Sequence, residues 1–241
     1  MAVVLLYRRH NVARRGINVS RLSIFSLLLL SICLLLPARL AAQQVAGAKS
    51  AADAEWQQLL EGNKRFVAGQ LTHTPLVPLR ESLAKGQSPR IAVLSCSDSR
   101  VPPELIFDRT LGDLFMVRVA GNVADQYGIA SLEYAVEHLG TKVLLVMGHE
   151  ECGAVAAACS GKPADTANLR ALTGSIAPAC EKNAGLPAAE QLYDSVVANV
   201  RKSAADLLAH SEVLRHAVHE GKLALILAVY KLRSGEVVRV D

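Results

Sequence analysis

The sequence predicts an α/β fold in which a mainly parallel central β-sheet is flanked by helices. Two observations indicate this fold. Short apolar runs recur along the chain, and they are apolar throughout rather than at alternate positions, which is typical of strands in a sheet covered on both faces. Segments with helical spacing of apolar residues separate these runs, and alternation of strand with helix is typical of parallel sheets.

The first 42 residues are predicted to be a signal peptide. Residues 1–21 hold five arginines and no acidic residue, and the apolar run Leu22–Leu36 is shorter than a typical membrane span. Leu40-Ala41-Ala42 is the expected cleavage site. We therefore expect an exported protein, periplasmic or extracellular. The alternative is an uncleaved leader that anchors the chain, which would be its one association with a membrane.

Residues 43–241 are predicted to form a single domain. The whole chain of 241 residues has 26 basic and 22 acidic residues, and six of the arginines lie in the leader. The domain therefore carries 20 basic and 22 acidic residues. No basic surface is left that would indicate a nucleic-acid partner, and the length is sufficient for one domain with a sizeable core.

The first element of the domain is predicted to be a helix over Ala51–Gly69. Its apolar residues, among them Trp56, Leu59 and Phe66, have helical spacing. Because so apolar a face stands at the start of the domain, we expect this helix to form an arm that packs on a partner subunit.

Four apolar runs predict the strands: Ile91–Leu94, Leu114–Ala120, Val143–Met147 and Leu223–Tyr230. The helices predicted between and before them are Glu104–Phe107, Tyr127–Leu139, Cys152–Ala158 and Leu192–His219, the last with a break near His210-Ser211.

Two cysteines and one histidine are placed where they can bind one ion. Cys96 follows the first predicted strand, His149 follows the third, and Cys152 begins the next helix. Ligands in open α/β sheets bind beyond the carboxyl ends of the strands, and a helix N-terminus favours a thiolate. Two thiolates and an imidazole suit tetrahedral zinc, whose fourth position would be left to water or to Asp98.

Two further cysteines, Cys159 and Cys180, remain in the domain. An exported compartment favours disulfides, so these two residues form either a disulfide or a pair of buried free thiols.

Three segments resemble the motifs of β-class carbonic anhydrases. They are Cys96-Ser-Asp98-Ser-Arg100-Val101, Arg118-Val-Ala-Gly121-Asn122 and Gly148-His149-(x)2-Cys152-Gly153, and the similarity extends over roughly residues 55–235. The resemblance implies reversible hydration of CO2 to bicarbonate and a proton by a zinc-bound hydroxide. It also implies a homodimer or a dimer of dimers.

The resemblance assigns roles to individual residues. Cys96, His149 and Cys152 would hold zinc, and Asp98 with Arg100 would form a catalytic dyad. In a closed state known in the family, Asp98 leaves Arg100 and ligates zinc itself. Val93 and Ser95 stand where members with an inhibitory bicarbonate pocket have tryptophan and glycine, so the permanently open subtype is expected.

Gln87, Phe115 and Tyr134 match family positions that bind the substrate, with Gln87 usually acting across the dimer interface. Two other functions remain open at this point. The same scaffold could hydrolyse a related molecule such as CS2 or COS, or it could be a non-catalytic binding protein stabilised by zinc.

Overall fold

The structure, a computed structural model, describes residues 52–180 and 187–241. The predicted signal peptide and its cleavage site lie outside these residues. Within the two described ranges, no helix has both the length and the apolar character needed to cross a membrane.

The strands are β1 (Ile91–Ser95), β2 (Leu114–Arg118), β3 (Val143–His149), β4 (Ala224–Tyr230) and β5 (Val237–Arg239). The helices are α1 (residues 52–67), α2 (Leu76–Leu83), α3 (Pro103–Ile106), α4 (Gln126–His138), α5 (Gly153–Cys159), α6 (Ala167–Ile176), α7 (Ala188–His210) and α8 (Glu212–His219). Two short 3₁₀ turns, Ala120–Asn122 and Ala177–Ala179, complete the described elements.

The sheet has the strand order β2-β1-β3-β4-β5. The first four strands are parallel, and β5 pairs antiparallel with β4. The chain leaves β1 towards β2 on one side, whereas β3 lies on the other side of β1. This reversal of strand order is the topological switch point at which α/β sheets open a crevice beyond their carboxyl ends.

Two apolar clusters cover the two faces of the sheet. Along β3, Leu144 and Val146 belong to one cluster, whereas Val143 and Leu145 belong to the other. Helices α4, α5, α7 and α8 contribute to the first cluster, and α1 with α3 contributes to the second. All seven residues of β3 are buried, which confirms the predicted mixed fold with a mainly parallel sheet covered on both faces.

Helix α1 packs on the domain's own core. Trp56 and Leu59 are buried beside Phe107 of the second cluster. The side-chain amide of Asn63 donates to the carbonyl of Gly235 at 2.8 Å and accepts the N–H of Val237 at 3.0 Å. These contacts explain the apolar spacing of α1 within one chain, and its predicted contact with a partner subunit stays a prediction.

The predicted elements and the observed ones differ mainly at their ends. The run predicted as a strand to Ala120 ends at Arg118, because Gly121 adopts a left-handed conformation (φ 65°) and turns the chain. The predicted break near His210 is confirmed, and Ser211 caps α8 by accepting the N–H of Leu214. Helices α2 and α6 and strand β5 were not predicted.

Candidate metal centre

The predicted metal ligands meet at the switch point of the sheet. Cys96 directly follows β1, and His149 is the last residue of β3, which pairs with β1. Cys152 is the N-cap of α5. Two adjacent parallel strands therefore end at the same edge and deliver one thiol and one imidazole there, and the following helix delivers the second thiol.

The three side chains form a compact buried cluster. One ligand atom each from Cys96, His149 and Cys152 lies within 4.8 Å of the others. The three residues are at most 4% exposed, and His149 is fully buried. Within the described part of the chain, this is the one group of three or more such side chains that could hold a metal ion.

The imidazole of His149 is oriented as a metal ligand. Its Nδ1 lies 2.8 Å from the carbonyl oxygen of Glu150, and since a carbonyl can only accept, Nδ1 carries the proton. Nε2 then presents a lone pair to the cluster. This buried atom has no hydrogen-bond partner among the described residues, and a buried polar atom without a partner is costly unless something absent from the chain binds it.

The two thiols cannot both ionise easily without a cation. The hydrogen bond from Cys152 lowers the pKa of Cys96 to about 4, although burial opposes this shift. The same hydrogen bond, together with burial, raises the pKa of Cys152. These opposite shifts favour a proton that stays on Cys152 and is donated to Cys96, and a divalent cation would replace that proton. The donor set, two sulfurs and one nitrogen, fits zinc.

Asp98 is bound to Arg100. The guanidinium donates from Nε to one carboxylate oxygen at 3.0 Å and from a terminal nitrogen to the other at 2.8 Å. The backbone N–H of Arg100 adds a bond of 2.9 Å. The side-chain hydrogen bond from Arg100 holds the pKa of Asp98 well below its usual range. The carboxylate is thus charged, and its nearer oxygen lies 3.8 Å from Nε2 of His149.

Arg118 supports the turn that carries Cys96 and Asp98. Its guanidinium donates to the carbonyl of Cys96 at 3.0 Å and to the carbonyl of Asp98 at 2.6 Å. Arg118 is the last residue of β2, which lies beside β1. The end of β2 therefore fixes the backbone of the turn that carries Cys96 and Asp98.

The 3₁₀ turn Ala120–Asn122 supports Cys96 from the other side. The N–H of Gly121 donates to Sγ of Cys96 at 3.2 Å. Helix α7 holds this turn with two buried polar side chains: Asn199 donates to the carbonyl of Gly121 at 2.7 Å, and Ser203 accepts from Asn122 at 3.2 Å. Gly121 thus contacts the sulfur of Cys96 directly, and α7 fixes the turn that places Gly121 there.

Asn199 and Ser203 were missed in the sequence. They belong to a series of polar residues, Ser195, Asn199 and Ser203, spaced by four along α7 and all at most 2% exposed. Polar residues that repeat along the buried face of a helix are expected to have specific partners. This spacing was the available signal.

Gly148 allows α7 to approach the end of β3. A methyl group placed on Gly148 would lie 2.6 Å from Cγ2 of Val200 and 3.2 Å from Cγ1 of Val196. Only glycine therefore permits this distance between helix and strand directly before His149.

Of the predicted substrate residues, Gln87 lies away from the metal-binding cluster of its own chain. Gln87 is exposed and precedes β1, whereas Cys96 follows it. Five strand residues span about 15 Å, so the two lie towards opposite edges of the sheet. Phe115 is near the start of β2, and its ring centroid lies 6.5 Å from that of Tyr134, which is 49% exposed.

The fold and the site together define a class of protein: an α/β protein with a buried Cys-His-Cys cluster, able to hold a metal ion, at the switch point of a parallel sheet. Comparison with known proteins agrees. The family model described as carbonic anhydrase matches residues 91–237. Carbonic anhydrase 2 of Mycobacterium tuberculosis is 37% identical over 194 residues, which cover 78% of this chain and 92% of that protein.

Solved structures show the same relationship. The β-carbonic anhydrase CafA of Aspergillus fumigatus aligns with a TM-score of 0.63 and 31% identity, covering 68% of this chain and 81% of that one. One of two tetrameric β-carbonic anhydrases from Sordaria macrospora aligns with a TM-score of 0.63 and 26% identity, covering 69% of this chain and 88% of that one. The chain belongs to the carbonic anhydrase family, in its β class, and is an enzyme of that family.

Replacement of Arg118 by alanine is expected to weaken zinc binding by about tenfold or more, as is typical when a group that orients metal ligands is lost. The reason is that the carbonyls of Cys96 and Asp98 lose their shared donor. Zinc affinity would be measured by competition with a chromophoric chelator.

Arg201→Ala is the matched control, because Arg201 also donates twice to a backbone carbonyl, that of Val240. The control is expected to keep the affinity of the unmodified protein. An unchanged affinity in Arg118→Ala would show that the turn holds its shape without Arg118.

Proposed function

We propose that this protein catalyses the reversible hydration of CO2 to bicarbonate and a proton, with zinc held by Cys96, His149 and Cys152. The observation that carries the proposal is the buried Nε2 of His149, which faces two thiols and lacks a partner. A carboxylate held beside it by an arginine supplies the second component of the chemistry.

Bound zinc would supply Lewis acidity that makes a water molecule acidic enough to react near neutral pH. Asp98 would orient that water. Because its carboxylate is charged, it can only accept a hydrogen bond, so the water must direct its proton at Asp98 and a lone pair away from it. Arg100 keeps Asp98 in place by binding both carboxylate oxygens.

We propose further that Asp98 rests on Arg100 in the working enzyme. The bidentate contact and the backbone N–H of Arg100 together give the carboxylate three donors. A metal that drew Asp98 away would have to compete with these three bonds. Val93 and Ser95 are buried side chains on β1, and they support the expectation that this chain is of the permanently open subtype.

The substrate pocket is proposed to form between two copies of the chain. Gln87 precedes β1 and so lies towards the amino edge of the sheet, opposite the centre of its own chain. It would therefore reach the centre of a second copy, where Phe115 and Tyr134 would join it. A groove of about 1010 Å³ beside β2 is lined in part by the exposed apolar residues Leu76, Val77, Leu105 and Leu111. A partner subunit would remove these side chains from water.

Asp98→Asn is expected to keep one zinc per chain and to lower turnover of CO2 by at least about 100-fold, because an amide can donate to the water and so misorient it. Stopped-flow CO2 hydration and metal analysis measure the two quantities. Asp206→Asn, which breaks an ion pair with Lys202 on α7, is the control and is expected to be fully active.

Full activity of Asp98→Asn would remove Asp98 from the mechanism. Turnover of CS2 or COS by the unmodified protein without turnover of CO2 would change the substrate but keep the centre. Full zinc content with no turnover of any of the three would indicate a binding protein.

Mixing two inactive variants tests the shared pocket. If Gln87 acts in the partner's centre, a hybrid dimer of Gln87→Ala and Asp98→Asn chains has one centre with both residues intact. After the two are unfolded, mixed in equal amounts and refolded, activity is expected to return to about a quarter of that of the unmodified enzyme. Refolding each variant alone is the control, and a mixture no more active than its components would place Gln87 in its own chain's centre or outside the pocket.

Export is also proposed, and the disulfide between Cys159 and Cys180 supports it, because structural disulfides persist in oxidising compartments. Cell fractionation of the full-length protein is expected to yield a periplasmic or secreted chain that begins at Gln43. Leu28→Arg, which places a charge in the apolar run, is expected to block export. Recovery of the unmodified protein in the cytoplasm with its first 42 residues attached would contradict the proposal.

A further inference from the structure

The disulfide joins the helix that carries a metal ligand to the segment that follows it. Cys159 is the last residue of α5, whose N-cap is Cys152. Cys180 follows the 3₁₀ turn Ala177–Ala179, which continues directly from α6. The two cysteines are bonded with a Cα–Cα distance of 5.3 Å across 21 residues of sequence. The disulfide therefore ties the end of α6 to α5.

The end of α6 covers the turn that contacts Cys96. Ile176, the last residue of α6, is fully buried. A methyl group placed on Gly121 would lie 2.6 Å from Cδ1 of Ile176 and 3.3 Å from Cβ of Ala154. Ile176 and Ala154 thus lie against the Cα of Gly121, and each belongs to one of the two segments that the disulfide connects.

Gly121 needs such a cover to keep its position. It holds a left-handed backbone conformation (φ 65°) and is followed by Asn122, which is also left-handed (φ 46°). Glycine has more conformational freedom to lose than any other residue, so the neighbours of Gly121 must fix it. Its N–H donates to Sγ of Cys96 at 3.2 Å, and a shift of this turn would remove that donor from the sulfur.

We propose that the Cys159–Cys180 disulfide slows metal loss by holding Ile176 on Gly121, and so holding the Gly121 N–H on Sγ of Cys96. This inference rests on the zinc site proposed above. Without the disulfide, the segment 160–180 is tied to α5 only through the chain and through side-chain contacts, so local opening costs less free energy. Each opening takes the N–H of Gly121 away from Sγ of Cys96 and lets water reach a buried centre.

The effect predicted is local rather than general. A disulfide that closes a loop of this length also stabilises the whole fold by constraining the unfolded chain. General stabilisation slows metal loss only through global unfolding, which is rare under native conditions. The two mechanisms are therefore separated by comparing the loss of the disulfide with a destabilising change elsewhere in the fold.

The test measures the rate at which the zinc-loaded protein releases zinc to an excess of chromophoric chelator. The variant Cys159→Ser with Cys180→Ser is expected to release zinc about tenfold faster, the scale found for groups that orient metal ligands. Reduction of the unmodified protein with a dithiol, which converts the disulfide to two thiols as the reagent is oxidised, is expected to give the same increase. The reagent is removed before the chelator is added.

The matched control is a destabilised variant on the other face of the sheet. Val237 lies in β5 and belongs to the cluster that α1 covers. Val237→Ala is expected to lower the melting temperature and to leave the release rate unchanged. An equal increase of the rate in this control, or no increase in the double cysteine variant, would overturn the proposal.

Ile176→Ala tests whether the disulfide acts through the contact between Ile176 and Gly121. With the disulfide intact, this variant is expected to release zinc faster than the unmodified protein. If Ile176 and the disulfide act through the same contact, the combined variant has a fold-increase in release rate well below the product of the two separate fold-increases. Independent, fully multiplying effects would show that the disulfide does not act through Ile176.

The result also distinguishes this inference from the function proposed above. An unmodified protein that binds no zinc would overturn both. An unmodified protein that binds zinc tightly and hydrates CO2, with a double cysteine variant that retains zinc equally well, would overturn only the role of the disulfide.

Discussion

The structure depends on the enforced proximity of two thiols and one imidazole in the buried interior of the domain. The strands β1 and β3 are adjacent and parallel, so Cys96 and His149 are brought to one edge whatever their side chains prefer. Burying three polar groups with an unpartnered Nε2 costs free energy. Within the described chain no group binds Nε2 of His149, and this unmet cost supports the cation that we propose for the centre.

No covalent bond joins the three side chains of the cluster, so hydrogen bonds from neighbouring residues must keep them in place. Arg118 fixes the backbone of the turn after β1, the Glu150 carbonyl fixes the orientation of His149, and Asn199 fixes the turn that faces Cys96. These residues come from the end of β2, the turn after β3 and helix α7. The reversal of strand order at β1 creates the crevice at the switch point, and the fold and the site therefore have the same origin.

The sequence predicted the site residues whose positions follow from the ends of strands and the start of a helix. It did not predict the residues whose hydrogen-bond partners are far away along the chain. Cys96, His149 and Cys152 were found because strand ends and a helix start place them directly. Asn199 could not be assigned a role, because its partner Gly121 is 78 residues away and only the packed helix brings them together. Strand β5 has three residues, too few for a pattern, and pairs with β4 through a short turn. Gln87 and Tyr134 match family positions, but one chain alone does not place them at a centre.

An oxidising compartment, which the proposed export implies, sets a further condition on this chain. Four cysteines lie in the predicted domain, and two of them must stay reduced to bind a metal. The structure separates the two pairs by α5: Cys152 caps its start, Cys159 ends it, and seven helical residues span about 10 Å. Disulfide exchange requires direct contact between a thiolate and a disulfide sulfur. The folded helix therefore keeps the bonded pair away from Cys96 and Cys152, and a bound metal would protect those two thiolates from pairing with each other.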